Sequence, residues 1–530
     1  MGGAQSTLPP RPVGFEYFCV AVRAPDIFRV ILATDYEISI IRRAIKETWR
    51  SGIQSEYAFY GGVHEFTLRG FPFAMRGSPS DAVMSRKMAA RILHRLYLQG
   101  WKLIMSCDLT RTTDLTTWIF KKVPVPVDSL SSQPFLVVGL SSIDSLMILN
   151  SPAQLHQTFK DVIRKAWPPG IQNWSCNNGV LLITLNGTPW IPHSDETVSS
   201  RVILHTLINN LYLKQWDFYG NSNLKGTANT LFFVYDHSIT PELTTVAHFT
   251  ISLNKRDTLR LIGIPSSLVS VIRETIRTSW QRGIQAESRY FGSWEFKLYG
   301  NPWWASSTEA VDSRYLIVKL IECLQHYGWT VIASIDSSRK PSDKSSLTFR
   351  LTEPRQLQVF CVSLNENDKL RLINAPANIK RVCKDVIRTQ YALGIKRIQQ
   401  YGNSLEFELQ GTPWSKRLDG VHGRNMMCHL FHTLECHNWK PLTSADLSAK
   451  YVHRKNSRDY PTDVDSIFFT FDDTQIQPSA PPEVPGAQAY SQPYSQPPPY
   501  NSFQWQTMPP GASSLGAPPS YEDCLRQQGP

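Results

Sequence analysis

Residues 360–373, FCVSLNENDKLRLI, alternate apolar and polar side chains on both sides of a polar turn at Asn365–Asp368, the period-two pattern of two strands in a hairpin. Residues 249–262, FTISLNKRDTLRLI, repeat it. Behind the hairpin the period lengthens to four, with Ile272, Ile276 and Trp280 in one place and Ile41, Ile45 and Trp49 in another, which predicts an amphipathic helix. The glycine that follows, Gly283 or Gly52, is placed to stop that helix in a left-handed conformation. The stretch SWEFKLYG then reads as a strand and SRYLIVKLIECLQHYGW as a second helix, ended by Gly328 with Trp329 opening the next strand. That strand runs to Asp108, Asn223, Asp336 or Asp446, each seven places beyond its tryptophan, before a turn and a last strand such as SLTFR or SIFFTF. The predicted unit is ββαββαββ, an α+β fold with an antiparallel sheet covered on one face by two helices.

The pattern occurs four times. Glycine followed by isoleucine stands at Gly52, Gly170, Gly283 and Gly394, with Trp49, Trp167, Trp280 and Tyr391 three places earlier. A second signature, RGFPF, NGTPW, GNPW and GTPW, places its glycine at Gly70, Gly187, Gly300 and Gly411. Arg86, Arg201, Arg314 and Arg424 keep the same step, as do Trp101, Trp216, Trp329 and Trp439. Four markers in one register imply tandem duplication. The expected units are 15–122, 135–236, 247–352 and 357–473, between a flexible N-terminus, 1–14, and a tail, 474–530.

Composition refines this picture at the two ends. The 530 residues carry a net charge of +11, and the tail holds Arg526 against Glu483, Glu522 and Asp523, so the body carries +13. Such an excess favours an anionic partner, a membrane surface before nucleic acid. The nine cysteines are scattered without CxxC pairs, which suits a reducing compartment and leaves the sequons at Asn173 and Asn186 unused. No apolar run reaches the roughly 18 residues of a membrane span, and no signal peptide is expected. From Thr474 onward Pro, Gln, Ser, Tyr and Gly dominate, a composition that buries too little apolar surface to offset its ordering entropy.

The start, MGGAQS, fits N-myristoylation of Gly2 once Met1 is removed, with Ser6 at the serine position. The following LPPRP, residues 8–12, reads as a stiff spacer with SH3-ligand character. In the tail, Pro478, Ser479, Ala480 and Pro481 spell PSAP, Pro497, Pro498, Pro499 and Tyr500 spell PPPY, and Pro518, Pro519, Ser520 and Tyr521 spell PPSY. These resemble late domains, the peptides by which viral matrix polyproteins and cellular adaptors recruit the budding and ubiquitin machinery. The resemblance implies binding of PSAP to the ubiquitin-E2-variant domain of ESCRT-I, and of both PPxY motifs to WW domains of HECT-type ubiquitin ligases. Preformed polyproline II loses little entropy on entering an aromatic groove, and the tyrosine fills a specificity pocket. The resemblance covers about the last tenth of the chain and none of the repeats.

Within the repeats, basic residues recur ten and six places before the first glycine: Arg42 and Lys46, Lys160 and Arg164, Arg273 and Arg277, Lys384 and Arg388. Spacing by four puts each pair on one helix face, either an anion-binding face or a solvated one partnered by Asp161, Glu274 and Asp385. Ser313 is expected to cap the second helix while Arg314 braces a recurrent acid such as Asp336. The recurrent aromatics read as core rather than as base-stacking platforms. Cys428, His432 and Cys436 share a helix face, but a single segment is a poor zinc site, and no metal or cofactor is expected. No phosphate-binding glycine loop, GxSxG or HExxH occurs. The expectation is a non-enzymatic, membrane-associated adaptor on the cytosolic face. The alternatives are a cytosolic scaffold whose repeats bind protein, phospholipid or nucleic acid, or an enzyme of unrecognised chemistry.

Overall fold

The computed structural model describes residues 11–59, 62–74, 78–110, 114–124, 132–225, 228–240, 247–338, 344–415, 418–448, 451–452, 460–461 and 463–471. Gly2 and all three tail motifs lie outside these. In the first unit β1 (Tyr17–Arg23) and β2 (Ile27–Ile31) form the hairpin, followed by α1 (Asp35–Thr48), β3 (Ile53–Phe59), β4 (Val63–Leu68), α2 (Pro79–Tyr97), β5 (Trp101–Cys107) and β6 (Asp114–Lys122). The second has β7 (Leu136–Ser141), β8 (Ser145–Leu149), α3 (Leu155–Ala166), β9 (Ile171–Asn177), β10 (Val180–Leu185), α4 (Glu196–Tyr212), β11 (Trp216–Ser222) and β12 (Thr230–Tyr235). The third has β13 (His248–Asn254), β14 (Thr258–Ile262), α5 (Ser266–Ser279), β15 (Ile284–Tyr290), β16 (Ser293–Leu298), α6 (Glu309–His326), β17 (Trp329–Ile335) and β18 (Ser346–Leu351). The fourth has β19 (Val359–Asn365), β20 (Lys369–Ile373), α7 (Ala377–Gln390), β21 (Ile395–Tyr401), β22 (Ser404–Leu409), α8 (Leu418–Cys436) and β23 (Trp439–Ala445). It then adds a small hairpin, β24 (Tyr451–Val452) and β25 (Tyr460–Pro461), before β26 (Asp463–Phe471).

Each unit is the predicted ββαββαββ fold. Its six strands form one antiparallel sheet, ordered β3-β4-β2-β1-β6-β5 in the first unit and equivalently in the others. The marker residues explain one another. Trp49, Trp167 and Trp280 donate their indole N–H to Arg69 O, Asn186 O and Tyr299 O at 2.7–2.9 Å, the carbonyls just before the second-signature glycines. Tyr391 does the same with its hydroxyl to Gln410 O, at 2.6 Å, which is why tyrosine serves there. The tryptophans of the second signature, Trp190, Trp303 and Trp414, reach Ser145 O, Thr258 O and Lys369 O in the second strand of their units. The helix-stopping glycine is corrected in detail: helix α1 is already capped at Trp49, in extended conformation, and Gly52, at φ +76°, closes the following turn by donating to Trp49 O.

The expectation that the sheet is covered on one face is completed by its neighbours. The second helix of each unit packs on the first strand of the next: α2 on β7, α4 on β13, α6 on β19, and α8 back on β1. The strands β5, β11, β17 and β23 meet one another in cyclic succession, so the four units close into a ring around them. First strands are consequently buried on both faces, with Thr250 and Ser252 as inaccessible as Phe249 and Ile251. The core of the first unit is continuous with that of the fourth.

The recurrent arginine fastens this ring. Arg86 Nε donates to Thr230 Oγ1 of the second unit at 3.2 Å, Arg314 Nε to Ser466 Oγ of the fourth at 3.3 Å, and Arg424 Nε to Thr117 Oγ1 of the first at 3.1 Å. Each also bonds the carbonyl four residues back in its own helix. The reading of Ser313 as a cap is corrected: it lies inside α6 and donates to Ala310 O. Gly139 is where Arg86 passes, since a Cβ there would fall 2.4 Å from Arg86 Nε. Removing a buried guanidinium strands its partners, and crowding one displaces it. Arg424→Ala is expected to lower stability by about 3 kcal/mol and Gly139→Ala by about 1–3 kcal/mol in urea titrations. A loss under about 0.5 kcal/mol for both, the range of ordinary surface changes, would contradict the seam assignment.

Candidate functional site

The four strands that open at the marker tryptophans each carry a bulge at the same place, between Leu103 and Met105, Phe218 and Gly220, Val331 and Ala333, and Pro441 and Thr443. Where they meet, residues 103–106, 218–221, 332–334 and 442–444 line an open pocket of about 120 Å³. Beside Tyr219 and Thr443, its polar lining includes a ring at the fifth place after each tryptophan: Ser106, Asn221, Ser334 and Ser444. Ser444 Oγ donates to Ser106 O at 2.9 Å and Asn221 Nδ2 to Ser334 O at 2.6 Å, so these groups join strands of different units. The sequence reading missed this ring, although its members keep the register of the tryptophans.

Two residues further along stand Asp108, Asn223, Asp336 and Asp446, each accepting the backbone N–H two places on. Three of them form reciprocal clasps across seams. Asp108 N donates to Asp465 Oδ2 at 2.8 Å and Asp465 N returns a bond to Asp108 O at 3.1 Å. Asp336 and Asn229 exchange the same pair of bonds, as do Asp446 and Ser345. Burial, then repulsion from Asp465, pushes Asp446 up to about 7, against the pull of the Ser448 N–H, Lys344 and Arg314. Burial pushes Asp465 up to about 6. The recurrent acids and arginines therefore hold seams.

The eight basic candidates do not converge. They lie on α1, α3, α5 and α7, each packed against the second helix of its own unit. The first member of a pair is commonly engaged: Arg42 Nε donates to Glu56 at 2.8 Å, Arg273 forks onto Glu287 at 2.5 and 2.8 Å, and the Lys160 ammonium sits 3.7 Å from the Trp174 ring centroid. Arg164 pairs with Asp161 at 3.1 Å, whereas Lys46, Arg277 and Arg388 are exposed and Lys384 is half-buried. The candidate zinc face is split. Cys428 is buried beside Cys19 of the first unit, and His432 packs on Phe15 and Tyr17 with its Nε2 3.9 Å from Cys436 Sγ. Among the described residues no group of three metal-ligating side chains converges, and no helix is long and apolar enough to cross a membrane.

A family profile for a single domain matches this chain four times, over residues 16–121, 134–234, 247–350 and 358–470, one match per unit. No curated protein matches the chain. A crystal structure of a conserved kinetoplastid-specific protein from Trypanosoma cruzi is similar at 18% identity, covering 22% of this chain and 97% of that one, with a TM-score of 0.16.

Titration of the seams gives a test. Asp446 and Asp465 have folded values above the ordinary carboxyl range, so their contribution to stability falls as pH rises through about 6–7. Burial depresses His205 and His429 to about 4 and His248 to about 3, so their contribution falls as pH drops below the ordinary value of 6.5. The two trends oppose each other over the same window, about pH 4 to 7. Asp446→Asn removes one of the opposing carboxyls, so stability should rise more steeply with pH across that window than in the parent, read from urea midpoints. An unchanged slope would show that Asp446 is not a buried carboxyl.

Proposed function

The chain belongs to the family defined by this domain, and from that premise we propose that it is a non-enzymatic adaptor whose closed four-domain body ties a membrane-inserted acyl chain to a ligand-bearing tail. The supporting observation is where the two described ends of the chain lie. Phe15 packs on His429 and His432, with ring centroids 4.3 and 4.9 Å away, and the Tyr17 hydroxyl bonds Glu435 in the last turn of α8. At the other end the Phe471 ring packs, tilted, 5.4 Å from that of Trp439, which follows α8 after two residues. Both ends therefore flank the C-terminus of α8. Gly2 and the motifs at Pro478–Pro481, Pro497–Tyr500 and Pro518–Tyr521 lie beyond these two ends in the sequence. A partner bound to the tail would then be held at the membrane.

A single myristoyl chain binds membranes with an association constant of only about 10⁴ M⁻¹, so it works with a second contact and is lost if that contact is lost. Gly2→Ala is expected to move the full-length protein from the membrane pellet to the soluble fraction, and unchanged pelleting would refute the anchor. For the tail, Tyr500→Ala and Tyr521→Ala should each weaken binding of the full chain to tandem WW domains, and the double change should lose far more than either. Sites 21 residues apart raise each other's local concentration. Pro481→Ala should abolish ubiquitin-E2-variant binding alone. Calorimetry showing neither partner bound below millimolar concentration would replace the adaptor with the scaffold reading.

A further inference from the structure

One seam of the ring joins its third and fourth units. There the C-terminal half of α6, the linker at 356–358 and the start of α7 line an open cleft of about 1020 Å³. Its charged and polar lining includes Lys319, Glu322 and His326 from α6, and Asn374 and Lys380 from the fourth unit. The one carboxylate among these is already consumed: Glu322 accepts from Lys319 Nζ at 2.7 Å, from Val359 N at 2.8 Å and from Asn374 Nδ2 at 3.3 Å. Lys380 has no acidic partner among the described residues, and exposed Arg381 follows it. Glu322 offsets Lys319, and Lys380 leaves the cleft with a net positive charge. The start of α7 adds to it, because its cap position is Pro376, which offers no side-chain acceptor, and its first turn holds no acid.

This combination occurs at one seam of the four. Counting from the marker glycine, the position of Lys380 is Ile38, His156 and Val269 in the other units. Counting back from the marker tryptophan, the position of Lys319 is Arg91, Thr206 and His429, and Arg91 is bonded to Glu47 as Lys319 is to Glu322. At the other three seams these two positions do not both hold lysine. The cleft also borders the end of β26, since Phe471 N donates to Gln358 O, a lining residue, at 2.9 Å.

We propose that this cleft binds the phosphates of a multiply phosphorylated membrane-lipid headgroup, with Lys380 and Lys319 as the cationic contacts. The choice of a lipid over a free organic phosphate rests on the membrane reading above. A single acyl chain requires a second, electrostatic attachment.

The test uses the full chain carrying Gly2→Ala, so that acylation does not contribute, with sedimentation on vesicles containing a multiply phosphorylated inositol lipid. Vesicles matched in total charge with phosphatidylserine serve as comparison. Preferential binding to the phosphorylated vesicles is expected. Lys380→Ala and Lys319→Ala should each weaken it about fivefold, the worth of one charge near an anionic surface. Lys46→Ala with Arg164→Ala, which removes two charges from other units, should change it less than twofold, and thermal unfolding confirms that each variant is folded. Equal binding to the charge-matched vesicles, or an equal loss in the Lys46 and Arg164 variant, overturns the site. Calorimetric binding of a soluble inositol polyphosphate without vesicle binding overturns the lipid source. The assay depends on neither acyl chain nor tail motifs, so its failure leaves the Gly2 and WW-domain results standing, and their failure leaves this one standing.

Discussion

Every unit of this protein has a sheet with two faces to bury and only enough helix to cover one. Its own pair of helices occupies one side of β1, β2 and β6, and the other side carries Tyr17 and Cys19 or their counterparts, some of them polar, which are buried all the same. A second copy, displaced by one unit, supplies the missing cover with its longer helix. That requirement propagates from unit to unit and stops only where the last helix finds the first sheet. Closure by four satisfies all the faces at once, whereas an open row would leave one sheet bare and one helix unpaired.

Polar groups then decide how closely the units approach. An arginine buried in a helix–sheet seam is costly unless its donors are matched, and here it meets hydroxyls of the neighbouring strand and a carbonyl of its own helix. The aspartates near the axis act through their backbone as much as their side chains, accepting a local N–H while exchanging main-chain bonds across the seam. Hydrophobic burial supplies most of the adhesion and is indifferent to register. The arginines and aspartates are directional, and they fix the register at which the sheets meet.

The unit itself was legible in the sequence because its signals are local. Alternation in FCVSLNENDKLRLI, the four-residue period of Ile272, Ile276 and Trp280, and the tryptophans that open β5, β11, β17 and β23 all report on contacts inside one domain. The ring was not legible, and the reason lies in residues such as Cys361, Ser363, Thr250 and Ser252. They look like a solvent face because they are small or polar, yet they are small because a neighbouring helix lies on them. Arg314 misled in a related way: its regular spacing marked it as important, but its partner Ser466 lies 152 residues away, beyond any local pattern. The axial ring of Ser106, Asn221, Ser334 and Ser444 kept the repeat register all along, but polar residues two places before a conspicuous acid drew no notice.

Closure between the first and last units has a consequence in time. The surface of β1 that carries Tyr17 and Cys19 is complete once the first unit is made, but its cover, α8, ends at Cys436, 314 residues after Lys122. At ordinary rates of about 5–20 residues per second, that surface waits on the order of 15–60 s on the ribosome. The second, third and fourth units each find their covering helix already waiting, and only the first is born exposed. Its hydrophobic face is thus offered to chaperones, or to the α8 of another nascent chain, for the length of synthesis.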